Sequence, residues 1–239
     1  MKEYECVYTL NHYEETLQKA KDLGYKFVSC NEYFINHKIY EKENQKIFIN
    51  RVDVDISCKK AKRVSDIFEK LNIHGTFFIR LHGDEYNPFS FENYLIIEEI
   101  VKRNEIGLHS EIIDCSKIWS QKDVREVLFR DLSVFEEMFN FQVNGVASHG
   151  GLTGYNNLDF WKENKAKDCD LYYEAYDEIF FKNFYISLLL LTGWKCYDNG
   201  QLQVGNNKCL CKHLDDNHRV IYCNIHPIKL YERHIYECI

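Results

Sequence analysis

Asp53 and Asp55 stand one residue apart at the end of the stretch Ile47-Phe48-Ile49-Asn50-Arg51-Val52-Asp53-Val54-Asp55. The stretch begins as an apolar β-type run. In a strand, residues i and i+2 project from the same face, so both carboxylates converge at the strand's end with Arg51 on their side. Two neighbouring carboxylates repel unless a cation lies between them or one holds a proton. The pair therefore reads either as a metal or general-base site, or as two acids facing water where the chain turns.

The same chemistry recurs along the chain. Arg80 and His82 follow the apolar segment Gly75-Thr76-Phe77-Phe78-Ile79. His109, with Ser110 and Glu111, follows Glu105-Ile106-Gly107-Leu108. Ser148 and His149 end Val143 to Ser148, and His226 with Pro227 ends Arg219 to Ile225. A lone histidine after a strand is ordinarily a hydrogen-bonded loop residue. Several imidazoles beside two aspartates on one edge instead suit a divalent transition metal. Such an ion polarises a carbonyl and acidifies water, while a second carboxylate and a separate histidine handle protons. That combination hydrolyses an amide or an ester.

The intervening segments have to bring these residues together. Ser57 and Ser90 can each cap a helical apolar stripe, through Ala61 to Leu71 and Tyr94 to Val101, and Asp123 to Phe139 reads as a helix with Val124 to Met138 on one face. Asn11 with Glu14 reads as a reciprocal cap for a helix ending at Gly24, followed by a strand at Tyr25 to Ser29. Leu158 to Asn164 reads as a short helix, Leu171 to Tyr173 as a strand and Ile228 to Tyr236 as a last helix. Glu174 to Cys211 is irregular. Strand–helix alternation of this kind means parallel strands with crossover helices, whose C-terminal ends share one functional edge. The expected fold is α/β, in a single domain over residues 1–239. Residues 1–46 form a helix-and-strand extension, and residues 47–227 hold the core motifs.

The chain has 239 residues, 45% of them hydrophobic and 15% aromatic, with two prolines, as expected of a packed globular protein. A net charge of -7 and a pI near 5.8, with no basic stripe, exclude a nucleic-acid surface. Met1 to Cys6 is charged, and the longest apolar run, Ile186 to Thr192, is too short to span a bilayer. The expected compartment is the cytoplasm, with the ten cysteines reduced. Cys209-Leu210-Cys211 has no second pair at zinc-ribbon spacing, which favours plain thiols over a structural zinc.

Taken in order, Arg51-Val52-Asp53-Val54-Asp55, Gly75 to Ile79, Glu105-Ile106-Gly107-Leu108-His109-Ser110, Ser148-His149-Gly150 and Ile225-His226-Pro227 resemble the polysaccharide deacetylase family, the NodB-homology or family 4 carbohydrate esterase domain. The resemblance covers about residues 47–227 and is to a divergent Asp-x-Asp branch. It implies a distorted (β/α) barrel of about seven strands and metal-dependent removal of N- or O-acetyl groups from sugars. It also implies Asp53 as general base, His226 as general acid, and Asp55 and His109 as metal ligands. Typical members carry a second ligand histidine four residues after the first, where this chain has Ile113, and an arginine–proline motif where it has Ser148-His149-Gly150-Gly151. His149 is the expected third ligand, with Glu111 and then Asp114 as alternatives. Arg51, Arg80 and His82 are assigned to substrate binding, and Arg51 is also a candidate to hold Asp53 in place of the missing arginine. The ion expected is zinc, or else cobalt or nickel. The expected substrate is a small-molecule or lipid-linked acetylated sugar, a surface-polysaccharide precursor. Two other readings are a cyclic imide or amide C–N hydrolase of the same fold, and a catalytically inactive sugar- or partner-binding relative.

Overall fold

The computed structural model describes residues 7–119, 123–189 and 193–232. Its strands are β1 (Lys26–Val28), β2 (Ile47–Val54), β3 (Thr76–Ile79), β4 (Glu105–Ser110), β5 (Gly145–Ser148), β6 (Tyr173–Glu174), β7 (Phe184–Leu189), β8 (Gly193–Asp198), β9 (Gln201–Leu202) and β10 (Val220–Ile225). Its α-helices are α1 (Leu10–Asp22), α2 (Cys30–Lys42), α3 (Cys58–Lys70), α4 (Phe91–Val101), α5 (Ile112–Ile118), α6 (Val124–Phe139), α7 (Glu178–Phe181) and α8 (Leu210–His213).

The strands form one sheet in the order β6-β5-β4-β3-β2-β10-β7-β8-β9. Pairing is parallel from β6 through β7, and antiparallel from β7 to β8 and β8 to β9. β1 pairs with the first residues of β2, ahead of β3. No ladder joins β6 to β7 among the described residues, so the strand pairing does not by itself close the expected seven-stranded barrel.

All eight residues of β2 are buried, which requires a core on each face of the sheet. Phe48, Val52 and Val54 face one core, with Leu17 of α1, Val64 and Phe68 of α3, Ile97 of α4 and Phe135 of α6. Ile47 and Ile49 face the other, with Phe78, Ala147, Tyr173, Tyr185 and Tyr222. Tyr33 and Tyr40 of α2 and Phe180 of α7 also join this inner core. Two glycines make room in it. A Cβ on Gly107 would meet the Phe78 ring at 2.5 Å, and one on Gly145 would meet the Tyr173 ring at 2.2 Å.

Alternation along the strands decides what enters the site. Successive residues take opposite faces, so the inward row of β2 runs Ile47, Ile49, Arg51, Asp53 and on to Asp55, from apolar to charged. On β10 Tyr222 faces inward and Ile221 and Ile225 outward, which turns Asn224 and then His226 inward. The same parity brings in Arg80 after β3, His109 and then Glu111 from β4, and His149 after β5.

Ser57, Ser90 and Asp123 cap α3, α4 and α6. The cap of α1 is Thr9, which accepts from the His12 amide, and not Asn11, which lies inside the helix. α2 is absent from the sequence reading, although Ser29 and Glu32 form a full capping box at its start. α5 is also absent from it. Leu158 to Asn164 is a 3₁₀ turn over Asn157–Lys162. The expected last helix is a 3₁₀ turn over Pro227–Lys229, and the rest of it past residue 232 lies outside the described residues, as do Met1 to Cys6 and residues 190–192 of the apolar run.

Candidate active site

Asp53 is 1% exposed. Arg51, fully buried below it, donates from Nε to Oδ1 and from an Nη to Oδ2, both at 2.8 Å. Asn224 donates to Oδ2 at 2.9 Å. The guanidinium also approaches the Tyr222 hydroxyl at 3.3 Å and lies 4.3 Å from the centre of the Tyr176 ring. Burial alone would raise the Asp53 carboxyl; the Arg51 charge, with the nearby His109 and His226, outweighs it and keeps the group well below the usual carboxylate range. Asp53 is therefore an oriented anion at neutral pH.

Two imidazoles face it. Nδ1 of His109 lies 2.8 Å from the Ala147 carbonyl, and Nδ1 of His226 lies 2.9 Å from the Leu188 carbonyl. A carbonyl only accepts, so Nδ1 carries the hydrogen in both rings and Nε2 turns to the carboxylates. Nε2 of His109 stands 3.1 Å from Asp55 and 3.9 Å from Asp53. Nε2 of His226 stands 3.6 Å from Asp55 and 3.8 Å from Asp53. A neutral ring thus sets a bare lone pair against carboxylate oxygens, which a proton or a cation must reconcile. Against its own burial, Asp53 and Asp55 raise the His109 pKa. Among the described residues the buried Oδ1 of Asp55 has no hydrogen-bond partner, although His109 is at its side, and neither has Nδ1 of His149. One donor atom each from Asp55, His109 and His149 lie within 4.8 Å of one another. The orphaned oxygen and the imidazole–carboxylate donor set fit a divalent transition metal. His149 and His226 are the site's more open side chains, 18% and 12% exposed against 2–8% for His109, Asp53 and Asp55.

No protein-family profile and no curated protein matches the chain. Among solved structures it is similar to the deacetylase PplD of Streptococcus pyogenes, solved in complex with acetate, at 16% identity and a TM-score of 0.43, over 58% of this chain and 61% of that one. It is similar to IcaB from Ammonifex degensii at 16% identity and a TM-score of 0.41, over 64% of this chain and 71% of that one. The chain thus spans less than two thirds of the length of PplD. Likeness this distant says nothing about chemistry, which has to come from the side chains.

Those side chains divide the remaining residues differently from the sequence reading. Arg51 is 0% exposed and its fork is taken up by Asp53, so it holds the carboxylate. Arg80 is also buried: it donates to the Asp55 carbonyl at 2.9 Å, to Glu111 at 2.7 Å and to Glu85 at 3.1 Å. It braces the turn after β2. His82 points elsewhere, paired with Asp131 at 2.9 Å and edge-on to Trp119. Glu111 lies 3.4 Å from Nδ1 of His149. Burial would raise its carboxyl, but His149 and Arg80 hold it at about 2, so it stays an anion bonded to Arg80 beside the His149 ring. Asp114 accepts from the amides of Leu152 and Thr153, the Thr153 hydroxyl and Asn157. Its oxygens are spent on folding the loop after β5, which disfavours it as a ligand. Asn224 was missed, though a polar residue at an inward position of an apolar strand was its signal. The Ala147 and Leu188 carbonyls carried none.

Proposed function

We propose that this chain is a metal-dependent hydrolase that removes an acetyl group from an N- or O-acetylated sugar. The observation that carries the reading is the division of the cluster into a fixed anion, Asp53, beside a three-donor set, Asp55, His109 and His149. The sequence resemblance to polysaccharide deacetylases points the same way.

In this reading Asp55, His109 and His149 hold zinc, or else cobalt or nickel, which supplies a Lewis acid that polarises the acetyl carbonyl and acidifies water. Asp53 takes the proton of the attacking water. Arg51 fixes its direction at some expense of basicity, and Asn224 holds the same oxygen from β10. His226 stands across from Asp53 with Nδ1 tied to Leu188, so in its doubly protonated form Nε2 is the nitrogen that delivers a proton to the departing amine or alcohol, leaving the neutral ring behind. Its partial exposure lets that nitrogen meet a substrate entering from solvent. Among the described residues no helix is long and apolar enough to cross a membrane. The substrate we favour is a cytoplasmic precursor, a nucleotide-linked or lipid-linked acetylated sugar.

The test is acetate release from N-acetylated nucleotide sugars by the metal-loaded protein and by Asp53→Asn. The variant should keep its metal and lose roughly 10²- to 10⁴-fold in turnover. Full activity in Asp53→Asn would remove Asp53 as base. Protein that binds no stoichiometric metal and releases no acetate would be a binding relative and not an enzyme.

A further inference from the structure

A second cluster, remote in sequence from the first, carries softer donors. Nε2 of His12 on α1 lies 3.3 Å from Sγ of Cys209, 197 residues away. Cys211 completes the group, and the three donor atoms all lie within 4.8 Å of one another. Cys209 is the N-cap residue of α8 and Cys211 sits in its first turn. Lys19 of α1 fastens the same turn, donating to the Cys211 carbonyl at 2.8 Å and pairing with Asp215 at 2.7 Å.

We propose that His12, Cys209 and Cys211 bind a thiophilic divalent ion, zinc above all, which ties the first helix to the C-terminal part of the chain. Three observations carry this. With Zn–S near 2.3 Å and Zn–N near 2.0–2.1 Å, a tetrahedral ion sets N···S at about 3.6 Å and S···S at about 3.8 Å. The cluster already stands at that scale, so side-chain shifts of about 1 Å close it. Next to it is a cavity of about 10 Å³ lined by Thr9, His12, Trp194, Cys209 and Leu210, room for one water-sized occupant. Finally, Nδ1 of His12 lies 4.0 Å from the Glu15 carboxylate, outside hydrogen-bond range but on the side where a histidine bound through Nε2 commonly finds its outer partner. Thiolate and imidazole donors select zinc or cobalt over magnesium or calcium. Binding releases the two thiol protons and leaves a fourth position for water. Spacing alone could not reveal the site, because the third ligand comes from the other end of the chain.

The experiment is a cobalt titration of the metal-free full chain, read by thiolate-to-cobalt charge-transfer absorption in the near ultraviolet. The donors of the first cluster are nitrogen and oxygen, so it gives no such band. The wild type should show the band, and zinc should abolish it by displacement. His109→Ala should keep it, because its thiols are intact. Cys209→Ser/Cys211→Ser should lose it together with one equivalent of bound metal. Cys211→Ser and His12→Ala, each at a partly exposed position, should separately weaken it and so cover the case of a misfolded double variant. No band in the wild type, or a band that survives in the double variant, overturns the proposal.

Discussion

Arg51→Met isolates the interaction on which the proposed general base depends. The pair is desolvated on both sides, with Arg51 0% and Asp53 1% exposed, and it is bidentate at 2.8 Å. Two unit charges about 4 Å apart at an effective dielectric near 20 attract by about 4 kcal/mol. Removing one partner of a buried pair costs about 3–5 kcal/mol, because the other charge is left behind. Among the described residues Asn224 is the hydrogen-bond donor that remains on Asp53, so the loss should fall in that range at pH 7. This is a large share of a typical domain's stability of about 5–15 kcal/mol. Arg51→Met/Asp53→Asn removes both charges and should recover much of it. Arg51→Lys should not rescue the site, since an ammonium cannot give two parallel bonds.

The pH dependence has a defined sign. In the wild type the Asp53 pKa is depressed. Its stabilising contribution is present above the unfolded value near ~3.9 and is lost as pH falls through the lower folded value. In Arg51→Met the charge that chiefly outweighs burial is gone, leaving only His109 and His226 against it, and the folded pKa should rise above the unfolded one. That variant should then lose stability as pH climbs from about 4 through its new folded pKa, so its deficit against wild type widens toward neutrality. Urea unfolding midpoints at a series of pH values, with m-values checked for constancy, measure this directly. A variant within about 1 kcal/mol of wild type at pH 7, with an unchanged pH profile, would refute the claim that Arg51 keeps Asp53 ionised.

His109→Ala should abolish metal binding at the first cluster, whereas His226→Ala should retain it and lower turnover. Metal analysis beside acetate release reads both, and loss of that metal from His226→Ala would exchange their roles. Metal affinity should weaken on acidification beginning above the ordinary histidine value near 6.5, because Asp53 and Asp55 raise the His109 pKa and protons compete for Nε2. The metal-free protein should move the other way: the raised His109 pKa adds stability that is full below about 6.5 and is lost as pH rises through the folded value. Competition titrations with a zinc chelator at pH 6, 7 and 8 test the first part, and pH-independent affinity would contradict it. Asp114→Ala orphans the Leu152 and Thr153 amides and takes one acceptor from Asn157, whose side chain keeps its bond to the His149 carbonyl. It should cost about 1–3 kcal/mol and reduce metal affinity by loosening the loop that carries His149. Unchanged affinity would separate that loop from the site.

What could be read from the sequence was whatever depends on neighbours along the chain. The two-residue period put Arg51, Asp53 and Asp55 on one face before any strand order was known. Ser57 and Ser90 announced their helices because an N-cap acts within three residues. α2 escaped although its capping box was visible, because its apolar residues do not form one stripe: Tyr33 and Tyr40 are buried, while Ile35 and Ile39 are 57% and 52% exposed. Arg51 was placed on the correct face, yet nothing local distinguished an arginine reaching for a substrate from one folded back on the carboxylate two residues away.

What could not be read depends on which strands are neighbours. β10 comes last in sequence yet lies between β2 and β7. That insertion puts Asn224 against Asp53 across 171 residues. It also sets His226 beside β7, where the Leu188 carbonyl fixes which ring nitrogen faces the acids. On the other side, β5 next to β4 gives His109 the Ala147 carbonyl to the same effect. Both tautomers, and hence the lone pairs that call for a cation between imidazole and carboxylate, are therefore products of strand order. A variant that shifted β10 by one residue against β2 would retain every site residue, turn Asn224 and His226 to the outer face, and leave Asp53 with Arg51 alone.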